Sequence, residues 1–490
     1  MAFSIAGLVK YLPAVGKPKT RLGFNEKLKW TAIVLLIYYI LGMIPLWGLD
    51  PAWETDYFEA VRAIIAGKFG SIITLGIGPI VTAGIILQLL VGVKILPLDL
   101  SKAEDKQTFQ GLSQLLTLIV AIFEAIVYVY MGGLPALNND PNLKMLIVAQ
   151  LFLGTILIVL LDEVSQKWGF VSGISLFIAA GVATEIFVAA LNPLPNPQNP
   201  SISAGRIPAA LQFLGQGDPM QALYTLIPII FTLVVFFIVV YAQSINVEIP
   251  LAFGRISGMS TRWPLNLFYT GVMPVILVAA LVMNIQLWAR LAQNAGFSIF
   301  GTVSSASEPL TGLIFFLTPP RDLIIYLLNP IAFFSGLARD FSLLFGISQS
   351  ALGATNFYNL TYLTMIVRAF TYTLFMVVGS VLFSLFWVKT SGQDTKSVAQ
   401  QINKAGMQVR GFRSDPRVIE MVLDRYIPYL TVIGGAAVGM LAAFADFTNA
   451  VGGGTGILLA VMIVYKMYES VVREHIADMA PMLKTFVAKR

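Results

Sequence analysis

Ten apolar stretches, each long enough to cross a lipid bilayer as a helix, constrain this chain more than any other feature. They cover residues 30–49, 71–93, 112–131, 143–161, 170–191, 222–243, 264–288, 361–388, 427–447 and 455–473. About 20 helical residues span the hydrocarbon core, and there only helices and closed barrels satisfy every backbone polar group. Of 490 residues, 57% are hydrophobic and 12% charged, too little charge to coat a soluble surface of that size. The expected fold class is therefore all-α and polytopic, with ten transmembrane helices.

Sidedness follows from the basic residues. With the N-terminus inside, the cytosolic segments carry 24 Lys and Arg and the outer loops 7, with Arg368 left at its span. Both termini are expected in the cytosol. This bias accounts for the net charge of +6, so no DNA or other nucleic-acid partner is needed to explain it. The absence of cysteine excludes disulfides and thiolate metal sites. No cleavable signal peptide is expected, because the basic residues follow the mildly apolar N-terminus instead of preceding it. SIAGLVKYLPAV, residues 4–15, reads as an amphipathic helix on the cytosolic surface.

The spans divide into two sets of five around a Pro/Asn/Gly-rich outer connection at 192–221. An odd number of crossings inverts the second set relative to the first, as in inverted-repeat transport folds. The expected organisation is a tail at 1–29, an N-terminal half at 30–191, the hinge loop, a C-terminal half at 222–473 and a tail at 474–490. Cytosolic loops are expected at 244–263 and 389–426, and a long outer region at 289–360 with surface or re-entrant helices. Periodicity alone makes 50–70 an outer surface helix or a segment folding back into the membrane.

Within the second span, TLGIGPIVTAGIILQLL places Gly76, Gly78 and Pro79 in a run apolar enough to cross. These residues disfavour helix, and exposed backbone in hydrocarbon is tolerated only beside protein or water. A broken helix next to a cavity is expected. Intramembrane ionisable residues are few: Glu124, Glu185 and Arg368. Glu124 is either a pathway group or a structural carboxyl bonded between helices. The basic cytosolic loops either dock an acidic partner such as RNA or are solvated.

Marks of an enzyme or pump are missing. There is one histidine, His475, and no HExxH; GGGTG at 452–456 lacks the Lys-Ser/Thr of a phosphate loop. No cofactor or catalytic residue is expected.

Several long motifs then point one way. TLGIGPIVTAGIILQLL, the N-terminal YLPAVGKPKTRLGFNEKLKWTAIVLLIYYILGMIPLWG, MQVRGFRSDPRVIEMVLDRYIP and ADFTNAVGGGTGILLAVMIVY resemble SecY, the large subunit of the Sec protein-conducting channel, in its archaeal and eukaryotic-like form. The likeness runs from about residue 8 to 475.

The resemblance implies an hourglass pore closed by an aliphatic ring of Ile77, Val81, Ile174, Ile178, Ile276 and Leu459. It implies a plug at about 57–70 carrying Tyr57, Phe58, Val61, Ile64 and Ile65, and a lateral gate with Thr82, Glu124 and Asn284. Arg255 and Arg410, with Arg413 beside it, match basic contacts for the ribosome. Implied partners are two small single-span subunits (SecE/gamma and beta), the ribosome, signal-bearing polypeptides and lipid; the implied location is the plasma membrane. A secondary transporter of a small solute is the other reading, and an intramembrane enzyme lacks catalytic pairs.

Overall fold

The computed structural model describes residues 15–20, 22–50, 67–98, 103–196, 199–253, 260–294, 296–298, 300–302, 309–320, 323–327, 330–344, 361–404, 407–409 and 416–487. Among them a helix forms on each of the ten apolar runs: α1 (Phe24–Met43), α2 (Gly78–Gly92), α3 (Ala103–Tyr130), α4 (Pro141–Trp168), α5 (Gly173–Leu191), α7 (Pro219–Gln243), α8 (Met273–Asn294), α12 (Thr361–Ser391), α15 (Ile427–Phe447) and α16 (Gly454–Val487). Eight of these runs are in helices long and apolar enough to cross a membrane. The other two are α1, whose first turns hold Glu26, Lys27 and Lys29, and α2, only 15 residues long.

Shorter elements occupy the connections. Strands β1 (Pro195–Asn196) and β2 (Asn199–Ser203) form a hairpin, followed by α6 (Arg206–Gly215), which packs on β2 and α7. Helices α9 (Leu313–Leu317), α10 (Leu323–Leu327) and α11 (Pro330–Leu344) lie within the long connection between α8 and α12.

The chain divides into two compact units: Met1–Thr184 with Lys389–Gly392 and Leu459–Arg490, and Glu185–Val388 with Gln393–Leu458. In the first unit α3 packs against both α2 and α4, and α1 packs on α4. Tyr38 of α1 stacks on Phe177 of α5 with ring centroids 4.6 Å apart.

In the second unit the two expected cytosolic loops come together as a folded element. Strands β3 (Asn246–Phe253) and β4 (Ser260–Asn266) pair antiparallel, and β5 (Met407–Val409) joins the other edge of β3. Pairing in β4 takes residues 264–266 out of the seventh apolar run, so α8 begins only at Met273. Helices α13 (Thr395–Lys404) and α14 (Pro416–Leu423) cover this sheet. Ile249, Leu265, Val398, Ile402, Ile419 and Leu423 form part of one apolar core beneath them. Each of these side chains removed from water contributes on the order of 1.5–3 kcal/mol, which offsets the entropy of ordering loops of this length.

Small residues let the long helices approach. A Cβ at Gly439 of α15 would lie 2.6 Å from the Met376 carbonyl oxygen of α12, and one at Gly435 would lie 2.5 Å from Ser384 Oγ. Stripes of this kind replace the hydrophobic effect between helices in lipid, where close backbone packing supplies the attraction.

Candidate functional site

The Gly-Gly-Pro run in the second span stands at the start of a helix. Residues 72–77 turn back on themselves through Thr74 N–H to Ser71 O (3.0 Å), Gly76 N–H to Ile73 O (2.9 Å) and Gly78 N–H to Leu75 O (3.0 Å). Gly76 has φ +51°, a left-handed conformation that glycine adopts without penalty. Helix α2 then begins at Gly78 with Pro79 in its first turn. There the missing N–H has no helical partner to lose, so the cost expected of a mid-helix proline does not arise.

The turn segment is anchored from two sides. Leu46, just after α1, donates its N–H to Gly70 O at 2.8 Å, and Ile72 donates to Ile44 O at 3.1 Å. Gly154 of α4 faces the same segment so closely that a Cβ would sit 1.9 Å from the Ile72 carbonyl oxygen.

This start presents two of the sequence-predicted ring positions one turn apart. Ile77 precedes the first helical residue and accepts the Val81 N–H at 3.0 Å; both side chains are buried. On α5, Ile178 is buried and Ile174 half-buried, and Leu459 of α16 is fully buried. Those five belong to the first unit, whereas Ile276, buried on α8, belongs to the second.

Two of the three polar positions expected at a gate, Thr82 and Glu124, lie in the first unit and meet there. Thr82 Oγ1 on α2 lies 3.1 Å from Glu124 Oε1 on α3 and 2.9 Å from the Gly78 carbonyl oxygen. Glu124 is only 5% exposed, and its carboxylate accepts the Thr82 hydroxyl between α2 and α3. Asn284 is on α8 in the second unit. Arg368 holds the end of α9: its guanidinium donates to the Thr318 carbonyl at 3.2 Å and lies 4.7 Å from the Phe315 ring centroid. The expected plug positions Tyr57, Phe58, Val61, Ile64 and Ile65, and the expected ribosome contacts Arg255, Arg410 and Arg413, lie outside the described residues.

Sequence reasoning passed over a set of carboxylates at helix junctions. Asp162 on α4 accepts the Ile174 N–H at the start of α5 (3.0 Å), and Asp340 on α11 accepts the Tyr362 N–H at the start of α12 (2.6 Å). Asp446 on α15 accepts the Thr455 N–H at the start of α16 (2.7 Å). Each satisfies donors that a helix start leaves without partners. For Asp162 and Asp446 the sequence signal is an acid at the end of one apolar run, with Gly173 or Gly454 opening the next helix.

Beside Asp162, Glu163 gathers the N-terminal segment. It accepts the Val15 N–H and the Lys167 ammonium, both at 2.8 Å, and a hydrogen bond from the Gln114 side chain. Lys167 also donates to Val15 O at 2.7 Å, and Trp168 Nε1 to Gly16 O at 2.9 Å.

Comparisons with known proteins bear on this architecture as a whole. The family model for SecY matches residues 71–468, and the model for the plug domain of Sec61p matches residues 36–70. The protein translocase subunit SecY of Methanothermobacter thermautotrophicus is 44% identical over 98% of this chain and 97% of its own length. A solved structure described as that of a protein conducting channel superposes with a TM-score of 0.79 at 39% identity, covering 97% of this chain and 98% of that one. Sec61 in the canine ribosome-channel complex from the endoplasmic reticulum follows with a TM-score of 0.77, also at 39% identity, covering 97% of this chain and 98% of that one. With its apolar helices, its helix start at Gly78 and a family match over most of its length, this multi-pass membrane chain belongs to the SecY family.

Proposed function

We propose that this chain is the channel-forming subunit of a protein translocase. It is a conduit and not an enzyme: it passes unfolded polypeptides across the bilayer and releases apolar segments sideways into lipid. The single observation that carries this reading is the family match over residues 71–468. The buried aliphatic pair Ile77 and Val81 at the start of α2 is consistent with it.

Ile77, Val81, Ile174, Ile178, Ile276 and Leu459 form the constriction in this reading. Branched aliphatic side chains offer no hydrogen bond to an ion or a passing backbone, and an apolar constriction gates by dewetting. Residues 57–70 act as the plug above it. Thr82, Glu124 and Asn284 supply the few polar contacts of a lateral gate, weak enough for a signal sequence to displace.

The ribosome is the proposed cytosolic partner, because the solved relative is Sec61 in a ribosome-channel complex. Arg255, Arg410 and Arg413 are the proposed contacts, since a guanidinium fork suits RNA phosphate and the affinity falls as salt rises. Two small single-span subunits complete the assembly, and both termini face the cytosol of a plasma membrane.

The absence of cysteine makes a direct test possible. Single cysteines at positions 77, 178 and 276 are tested for disulfide formation with a stalled secretory chain carrying one cysteine. Adducts at all three, lost when the chain is released, place a polypeptide in the constriction. No adduct at any of them, with the stalled chain still bound, returns the small-solute transporter to contention.

A further inference from the structure

We propose that Asp162 and Asp446 are positioning residues that hold the resting seal shut, an inference that rests on the channel reading above. Neither residue is among the ring positions. Each ties the end of one helix to the first turn of the next, and that next helix carries ring side chains.

The two junctions are built alike. In the first unit, Asp162 near the end of α4 accepts the N–H of Ile174, the second residue of α5, at 3.0 Å, and its other oxygen accepts Gln166 Nε2 at 2.7 Å. In the second unit, Asp446 near the end of α15 accepts the N–H of Thr455, the second residue of α16, at 2.7 Å. Its other oxygen accepts the Tyr372 hydroxyl at 2.6 Å and the Thr455 hydroxyl.

Glycine opens both helices, and in both the capping helix lies where a side chain would be. A Cβ at Gly173 would be 2.6 Å from Asp162 Cα, and one at Gly454 would be 1.9 Å from the Ala445 carbonyl carbon. The approach that lets each carboxylate reach its amide therefore depends on the glycine beside it.

What these first turns carry gives the contacts a function. Ile174, whose amide Asp162 holds, is itself a ring position, and Ile178 follows one turn later on the same helix face. Leu459 lies four residues beyond Thr455, again one turn along its helix. A helix start without its cap frays in the first turn. A frayed turn at either place moves the aliphatic side chains proposed to close the constriction.

The test measures ion conductance of the resting complex, as isolated from membranes, in planar bilayers. Asp162→Ala and Asp446→Ala should each raise resting conductance about fivefold, the shift that loss of one cap imposes on a two-state equilibrium. Asp162→Asn and Asp446→Asn retain an acceptor oxygen and should return conductance to the parental level, a rescue that general loss of stability would not follow. Where an alanine variant cannot be isolated, Gln166→Leu and Thr455→Val loosen the same carboxylates without removing them, and a smaller rise is expected. Parental conductance in every alanine variant isolated, and in these milder variants, overturns the proposal.

Each conductance series is paired with the stalled-chain disulfide assay at positions 77, 178 and 276. Adducts there with no change in conductance sink the positioning role and leave the channel reading standing. Absent adducts at positions 77, 178 and 276 with the stalled chain bound sink the channel reading itself.

Discussion

Thr82 on α2 and Glu124 on α3, separated by 42 residues in sequence, meet at 3.1 Å. The Thr82 hydroxyl has one proton and two acceptors in reach, because the Gly78 carbonyl oxygen is 2.9 Å away. The contact between the helices is thus a shared bond, in competition with the turn of α2 beneath it. In membranes such interhelical bonds average about 0.6 kcal/mol, enough to bias an opening equilibrium by about threefold without locking it. Replacing Thr82, Glu124 and Asn284 by Leu should change which signal sequences are accepted, by about that factor per lost bond. Export of a paired strong-signal and weak-signal reporter measures it; an unchanged ratio removes these residues from the gate.

Gly154 tests the anchoring of the segment before α2. Alanine inside a helix normally gains about 1 kcal/mol over glycine. Here its methyl group would meet the Ile72 carbonyl oxygen at 1.9 Å, and overpacking of that order costs about 1–3 kcal/mol. Gly154→Ala is therefore expected to lower the thermal midpoint of the detergent-solubilised chain. A midpoint equal to or above the parent would mean that α4 and the turn segment separate readily.

Glu163→Ala should release the N-terminal segment. It removes the acceptor of the Val15 N–H and leaves Lys167 without its 2.8 Å carboxylate partner. Because Lys167 and Glu163 retain partial access to solvent, the loss is about 1 kcal/mol, well below that of a fully buried pair. Limited proteolysis near residues 15–20 is the readout, with cleavage about fivefold faster in the variant for a loss of that size.

Tyr269 gives an alkaline signature to the element built around β3, β4 and β5. Its hydroxyl donates to the Gln393 carbonyl at 2.6 Å, and burial, followed by the nearby Asp394 charge, pushes its phenol upward. The folded state therefore keeps a proton that the unfolded state releases near pH 10. That stability is fully present below about pH 10 and is lost as pH rises toward the higher folded value. Tyr269→Phe should flatten the decline in stability above about pH 10, as followed by denaturation at stepped pH. An identical decline in both proteins would assign it to other groups.

Much of this protein is written locally. Ten apolar runs announce a polytopic helical chain because hydropathy acts residue by residue against lipid. The bias in Lys and Arg carries the expected sidedness for the same reason, and the cluster of Gly76, Gly78 and Pro79 marks where the second span changes course. Even there, the sequence alone reads Pro79 as a cost. Its actual place in the first turn of α2 depends on where the helix begins, and that is set by the packing of residues 71–77 against α1 and Gly154.

Other features needed the tertiary structure. Residues 246–253, 260–266 and 407–409 look like stretches of loop, yet they form one sheet because strands far apart in the chain complete each other's hydrogen bonds. The carboxylates of Asp162, Asp340 and Asp446 show no periodicity, since each serves an amide on another helix. Hydropathy and glycine placement are properties of single segments, so sequence determined the membrane class, the spans and the family. A hydrogen bond between segments exists only once both are folded, so only the tertiary structure decided how Thr82 meets Glu124 and which helix starts Asp162, Asp340 and Asp446 hold.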